Sequence, residues 1–308
     1  VSRRVQSAAG VTIIVGLSAY LLAVTQGASL AISEAMDIPY DVTLLIVWVG
    51  YTWFTAYSGS KGVVVTDTIM FVLFTFVAFV ALYYIVDAAG GWFEAIRALA
   101  TFEPKAGIIS WHGVLGPGAR WQTPSDALSW GLILGAAWGI TIAVSPWQSS
   151  RYLMAKNEHT VIRAACAATI AATFFYCALI MAAASINLLN AEIDPPEKAM
   201  IWAAMNALPT FAGVLLMSGI VAAALSSAST FLSLIAFSAA NDLVEIKGMS
   251  DRRRLSVSRY TMLVVGGIIL VLAHLQPPAI LEISYFAATL FASSWGPVAF
   301  MSVWSTRI

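Results

Sequence analysis

Charge is what this sequence has least of. Only 10% of its 308 residues are charged, against 60% hydrophobic, where a soluble domain carries about 25% charge. So few charges cannot cover a chain of this length against water, and its solvent must be largely lipid. The charges present sum to zero, which argues against nucleic acid as a partner. Cysteine is nearly as scarce. Cys166 and Cys177 lie eleven residues apart in one apolar segment, and on a helix that is roughly 16 Å, too far for a disulfide. Both read as small apolar packing residues. The three histidines, His112, His159 and His274, are scattered between apolar segments, so no haem or metal cluster is legible. Paired intramembrane acids and a nucleophile elbow are missing too, and an enzyme is not expected.

Long apolar runs take the place of charge, with a mean hydropathy of +0.83. They give eight spanning segments near the roughly 20 residues that a bilayer requires. These run over 8–33, 41–57, 63–87, 127–153, 160–186, 208–241, 256–274 and 279–304. Their uniform apolarity, without alternation, excludes a membrane β-barrel. Lys and Arg then predict the orientation. With the N-terminus inside, twelve basic residues fall in inside segments and four (Arg97, Lys105, Arg120 and Lys198) outside, which puts both ends in the cytoplasm. The external loop at 88–126 carries a short amphipathic piece, Trp92 to Leu99, with the aromatics of an interfacial helix. Gly116-Pro117-Gly118 is turn chemistry. The whole of 1–308 reads as one transmembrane domain. It starts at Val1 without an initiator methionine and stops directly after a span, so both ends are expected to be cut from something longer.

Few polar residues sit inside these runs. On the sixth span, Gly219, Ala223, Ser226, Thr230 and Ser233 step by four, three, four and three, which puts them on one helical face. Small residues line membrane helix interfaces, and hydroxyl oxygens also suit a hard cation; spacing alone supports both readings. The span stops at Asn241-Asp242. In the fourth span Gly131, Gly135 and Gly139 permit close approach of another helix. Beyond them Pro146 removes a backbone donor and disturbs the carbonyl four residues earlier. Broken helices hold substrate and ions in secondary transporters, and an ordinary proline kink is an equal reading of the residues alone. Asp67 opens the third span, six residues after Lys61. It marks the cytoplasmic interface or, as an intramembrane acid, a functional position. Glu282, at the start of the eighth span near the outer face, reads as an interfacial charge, with an outer-gate role as the alternative.

Four stretches in register resemble the sodium/solute symporter family, whose members include sodium/proline, sodium/pantothenate and sodium/glucose symporters. Ser58-Gly59-Ser60-Lys61-Gly62 followed by Thr66-Asp67 is similar to the family's glycine-rich turn and Thr-Asp motif. Pro146 through Arg151 to Lys156 is similar to the helix end and basic loop after its substrate helix. Ala222 through Ser227, continuing to Asn241-Asp242, resembles its sodium-binding helix. Ser294-Trp295-Gly296-Pro297 with Trp304-Ser305-Thr306-Arg307 resembles its late Gly-Pro span and exit.

The resemblance implies roles that neither composition nor spacing can assign. Ser226, Ser227 and the Ala223 carbonyl would bind the coupling sodium, and Asp67 matches an acid implicated in sodium dependence. Trp138, Gly139, Ile142, Pro146 and Tyr20 fall at substrate-pocket positions. A tyrosine of the proline branch is Ile142 here, which counts against proline as solute. The implied fold is that of the leucine transporter, an all-α inverted repeat. The eight spans resemble its core helices three to ten, without the unwound first helix. Function would be sodium-coupled symport of a small organic solute by alternating access, with sodium as coupling ion and no other cofactor. The location would be a plasma membrane, such as a prokaryotic inner membrane. Two other readings stay open: a transporter-like sensory module, fused to or working with a sensor-kinase domain, and a partial chain that does not transport.

Overall fold

Lipid offers no partner to an exposed backbone N–H or C=O, so each apolar run must close its hydrogen bonds within itself. In the computed structural model the runs do this as α-helices, with no β-strand among the described residues. The structure describes residues 3–243, 250–275 and 280–305, with the side chains of 58–63 and 251 set aside. Of the basic residues used for orientation, the Lys61 side chain, Lys247 and Arg307 therefore fall outside this description, as does the end of the exit motif.

The order is α1 (Arg3–Met36), α2 (Tyr40–Ala88), α3 (Trp92–Ala100), α4 (Pro124–Val144), α5 (Pro146–Leu153), α6 (Glu158–Leu189), α7 (Ala199–Asn206), α8 (Thr210–Ser238), α9 (Asp251–Leu275) and α10 (Ile280–Trp304). Seven helical stretches among the described residues are long and apolar enough to cross a membrane, α4 and α5 together making one of them. The remaining expected segment, 41–57, is helical as the first part of α2. There the structure departs from expectation, because no turn interrupts 58–62 and the helix runs unbroken for 49 residues. Gly50, Gly59 and Gly62 weaken it by about 1 kcal/mol each, but no proline removes a donor. At 1.5 Å per residue α2 is about 73 Å along its axis.

The chain divides into two compact units, Val1–Met70 with Ala136–Ala155 and Val221–Ile308, and Phe71–Gly135 with Lys156–Ile220. In the first, Leu17 and Leu21 of α1, Leu232 and Ile235 of α8, Ile269 of α9 and Phe291 of α10 form a fully buried core. Gly16 makes this possible, since a Cβ there would stand 2.6 Å from the Phe291 ring. Beyond α8 the chain makes one π-helical turn, Ala239–Leu243. Its Asp242 accepts from Ser238 Oγ at 2.7 Å and from Gln6 Nε2 of α1 at 3.1 Å. The polar stop is thus a fastening for the start of α1.

The second unit packs Val77, Ala81 and Ile85 of α2 against Ala182 and Ile186 of α6, Ala203 of α7 and Leu216 of α8. Gly213 lets α8 pass the Ala204 carbonyl, and Gly219 lies against Val77. The helix α3 buries Ala95 and Leu99 while exposing Trp92 and Phe93. In the loop after it, Lys105 Nζ donates to Asn187 Oδ1 at 2.6 Å. Gly116 and Gly118 take positive φ, 101° and 83°, a backbone that side chains resist.

Two smaller expectations are corrected. Cys166 and Cys177 are unbridged but exposed on α6 rather than packed, because that helix presents most of its surface outward. A Cβ on Gly131, Gly135 or Gly139 would meet no atom within 4 Å. The glycine stripe of α4 therefore has no helix against it among the described residues.

Candidate ion and solute site

The site begins with the break at Pro146. A proline cannot donate to the carbonyl four residues back, and here that carbonyl, of Ile142, accepts from Ser145 Oγ at 3.3 Å. Ser145 takes an extended backbone (φ −61°, ψ 144°), and Pro146 opens α5 at a position where no donor is needed. One turn earlier, Thr141 Oγ1 donates to the Ala288 carbonyl of α10 at 2.6 Å, fixing the end of α4.

The short helix α5 carries Arg151 to Asp67. Its Nη2 lies 2.5 Å from Asp67 Oδ2 and donates to Thr230 Oγ1 at 3.1 Å. Asp67 also accepts from Ser226 Oγ at 2.8 Å and from Thr230 Oγ1 at 3.1 Å. One carboxylate on α2 thus gathers an arginine from α5 and two hydroxyls from α8. The ion pair is sheltered, its side chains 30% and 22% exposed for Arg151 and Asp67. A charge in hydrocarbon surroundings is costly unless paired, and here each charge neutralises the other. Beside Ser226, Ser227 Oγ donates to the Ala223 carbonyl at 3.1 Å. Carboxylate, hydroxyl and carbonyl oxygens therefore meet along about two turns of α8, the donor set a hard cation takes.

A second cluster is aromatic. Tyr20 of α1 stacks on Phe231 of α8 with ring centroids 5.5 Å apart, meets Trp147 edge-on at 5.4 Å and approaches Trp138 at 6.1 Å. Trp147 continues to Phe291 at 5.7 Å. Among the described residues the Tyr20 hydroxyl is buried without a hydrogen-bond partner, which costs free energy until one is met. Pro146 is buried next to Trp147 in sequence. Gly139 and Ile142, by contrast, are exposed, Ile142 to 47%, and stand outside the ring cluster.

With this geometry in view, three comparisons bear on the chain. The model of the sodium:solute symporter family matches residues 2–308. The chain belongs to the sodium:solute symporter family. The sodium/pantothenate symporter of Escherichia coli (strain K12) is 23% identical to it over 258 residues, 82% of this chain and 51% of the relative. A Na+-coupled sialic acid symporter, solved substrate-bound and outward-open and described as revealing a novel Na+ site, superposes with a TM-score of 0.74 at 18% identity. That match covers 97% of this chain and 63% of the other. The chain therefore shares the fold of a sodium-coupled symporter, the leucine-transporter-like class expected above, and is a multi-pass membrane protein of a transporter family. It spans about half the length of the curated relative.

The structure gathers Asp67 with Ser226, and Ser227 with Ala223, as two neighbouring hydroxyl pairs. It gathers Tyr20 with Trp138 in the aromatic cluster. Sequence reasoning missed Arg151 as Asp67's partner, having read it only as loop charge. The available signal was that an intramembrane acid needs a counter-charge. Thr230 was already legible on the hydroxyl face. Phe231 and Phe291 carried no signal that separates ring partners from ordinary core.

Proposed function

We propose that this symporter-family chain forms part of a sodium-coupled transporter of a small organic solute, working by alternating access. The observation that carries the reading is the set of oxygens along α8. Ser226 reaches the Asp67 carboxylate at 2.8 Å, and Ser227 reaches the Ala223 carbonyl one turn away. Sodium binds Ala223, Ser226 and Ser227, with Asp67 supplying the negative charge. The guanidinium of Arg151 and the sodium ion are then rivals for Asp67, because a carboxylate that feels a cation on one oxygen holds a second less tightly. Solute binds beside Tyr20, Trp138 and Pro146, with Gly139 and Ile142 on the exposed side of the same helix. Sodium drives the cycle only so far as it binds the two states differently. Its inward passage adds about 2.3 kcal/mol per charge per 100 mV. The chain sits in a plasma membrane; the expected orientation, with both ends cytoplasmic and α3 outside, needs the turn at 58–62 that the unbroken α2 does not make. No cofactor beyond the coupling ion is required.

The test is thermal unfolding of the detergent-purified chain in sodium chloride against potassium and choline chloride. A ligand bound only by the folded form stabilises by RT ln(1 + [L]/Kd), about 1.4 kcal/mol at ten times Kd. Sodium alone is expected to raise the midpoint, and the Ser226→Ala, Ser227→Ala double variant to lose that rise. Equal midpoints in all three salts would sink the ion site in this chain.

A further inference from the structure

A helix leaves its first N–H groups without partners inside itself, and a buried helix end needs some other acceptor for them. Helix α5 opens inside the first unit, where Ser145 and Pro146 are both buried. No side chain caps its first turn, because Ser145 Oγ turns back to the Ile142 carbonyl. The Ser145 N–H donates to the Thr141 carbonyl at 2.8 Å and the Ser149 N–H to that of Ser145 at 3.0 Å, and Pro146 has no N–H to give. The N–H groups of Trp147 and Gln148 remain, at the end of the helix where its dipole is positive. An independent observation lies beside them. Tyr20 is only 6% exposed, and its hydroxyl has no hydrogen-bond partner among the described residues. Its ring meets Trp147 edge-on at 5.4 Å and lies 6.1 Å from Trp138, so rings from both sides of the break enclose it. Two backbone donors and one hydroxyl thus border the break without partners among the described residues, which points to an acceptor from outside the chain.

The chemistry of these groups selects the class of ligand. A backbone N–H can only donate, and a positive helix end favours an anion. Arg151, the cation of the same helix, already pairs with Asp67, so the donors that remain suit a single negative charge. A carboxylate offers about four lone-pair sites to such donors, and the rings beside it suit a hydrocarbon body. An ammonium group fits poorly, because the face of Tyr20 is covered by Phe231, stacked at 5.5 Å with 27° between the planes, and a cation binds ring faces. We propose that the solute is a small monocarboxylic acid with an apolar body, its carboxylate held by the N–H groups of Trp147 and Gln148 and by the Tyr20 hydroxyl. The assignment rests on the solute site proposed above and adds the class of solute.

Saturation-transfer NMR on the detergent-purified full chain tests it, with isovalerate, isovaleramide and isopentylamine as probes of one carbon skeleton. Each is titrated in sodium chloride and in choline chloride. The acid is expected to bind on the order of tenfold more tightly than the amide, and the amine more weakly than either. Ser145→Asn sets a side-chain acceptor over the same N–H groups and should abolish the acid's advantage. Tyr20→Phe should weaken the acid more than the amide, and it keeps the test open if Ser145→Asn does not fold. Absence of acid binding, amide or amine binding as tight as the acid's, or an acid preference unchanged in either folded variant overturns the assignment. Sodium separates the two readings. A sodium-raised unfolding midpoint without acid preference sinks the carboxylate assignment alone. An acid preference equal in both salts, with no sodium-raised midpoint, upholds that assignment and sinks the ion coupling.

Discussion

The two compact units bury different things. Among the described residues, every buried polar side chain except Ser185 belongs to the first unit: Thr25, Gln26 and Ser29 of α1, Thr43, Thr52 and Thr55 of α2, Thr141 and Ser145 at the break, and a run from Ser229 to Ser258. The second unit buries almost only hydrocarbon. Each buried hydroxyl costs free energy unless bonded, and the first unit answers mostly within single helices. Thr25 Oγ1 donates to the Leu21 carbonyl at 2.7 Å, and Ser29 Oγ to that of Thr25 at 2.7 Å. Helix α8 shows the change along one element. Its first part offers glycines to close packing, and its second offers Ser226, Ser227 and Thr230 to Asp67 and to its own backbone. The two units thus solve different problems, the second one of adhesion and the first one of holding oxygen atoms in hydrocarbon.

That contrast can be broken by mutation, and the largest effect is expected in the first unit. Arg151→Gln strands the Asp67 carboxylate and should cost about 1.5–3 kcal/mol of stability. Adding Asp67→Asn should restore part of the loss, so the double variant falls short of the sum of the singles. Strict additivity in denaturant unfolding would mean that the pair is not energetically coupled. Next comes the second unit, where Gly213→Ala drives a methyl into the Ala204 carbonyl and should cost about 1–3 kcal/mol. Its sodium-dependent midpoint rise should survive unchanged; losing it would show that packing and ion binding are not separable. Tyr20→Phe removes an unpartnered buried hydroxyl and should change stability by less than about 1 kcal/mol, while weakening solute-dependent thermal stabilisation once a solute is found. A loss of several kcal/mol would show that the hydroxyl already has a structural role. The smallest effect belongs to Cys166→Ala and Cys177→Ala on the outward face of α6. Each should stay within about 0.5 kcal/mol, read from the thermal unfolding midpoint of the detergent-purified variants.

Much of this architecture was legible because the physics behind it is local. Apolar runs become helices in lipid whatever surrounds them, and the spacing of Ser226 and Thr230 puts them on one face before any neighbour is known. Misreadings arose where the answer lay in another segment. Gly59 and Gly62 read as a turn, yet helix continuity through them depends on the absence of proline and on flanks that propagate from both sides. Gly131, Gly135 and Gly139 implied a neighbour that the described residues do not supply. Arg151 and Asp67 lie 84 residues apart, and nothing in either local pattern announces the other. The ring partners Phe231 and Phe291 were hidden for a different reason: in a chain this rich in aromatics, their identity alone says nothing about which rings meet.

The break at Ser145 has a mechanical side. It divides one membrane crossing into two stiff rods joined at a single residue, so the rods can change angle without losing more than the few hydrogen bonds already surrendered to Pro146. Arg151 lies six residues out along the shorter rod, a lever arm of about 9 Å. A swing of about 20° at the joint would carry its guanidinium by about 3 Å, as far as the bond it makes to Asp67. A small rotation at one serine is thus enough to part Arg151 from Asp67, and the helix itself need not unwind.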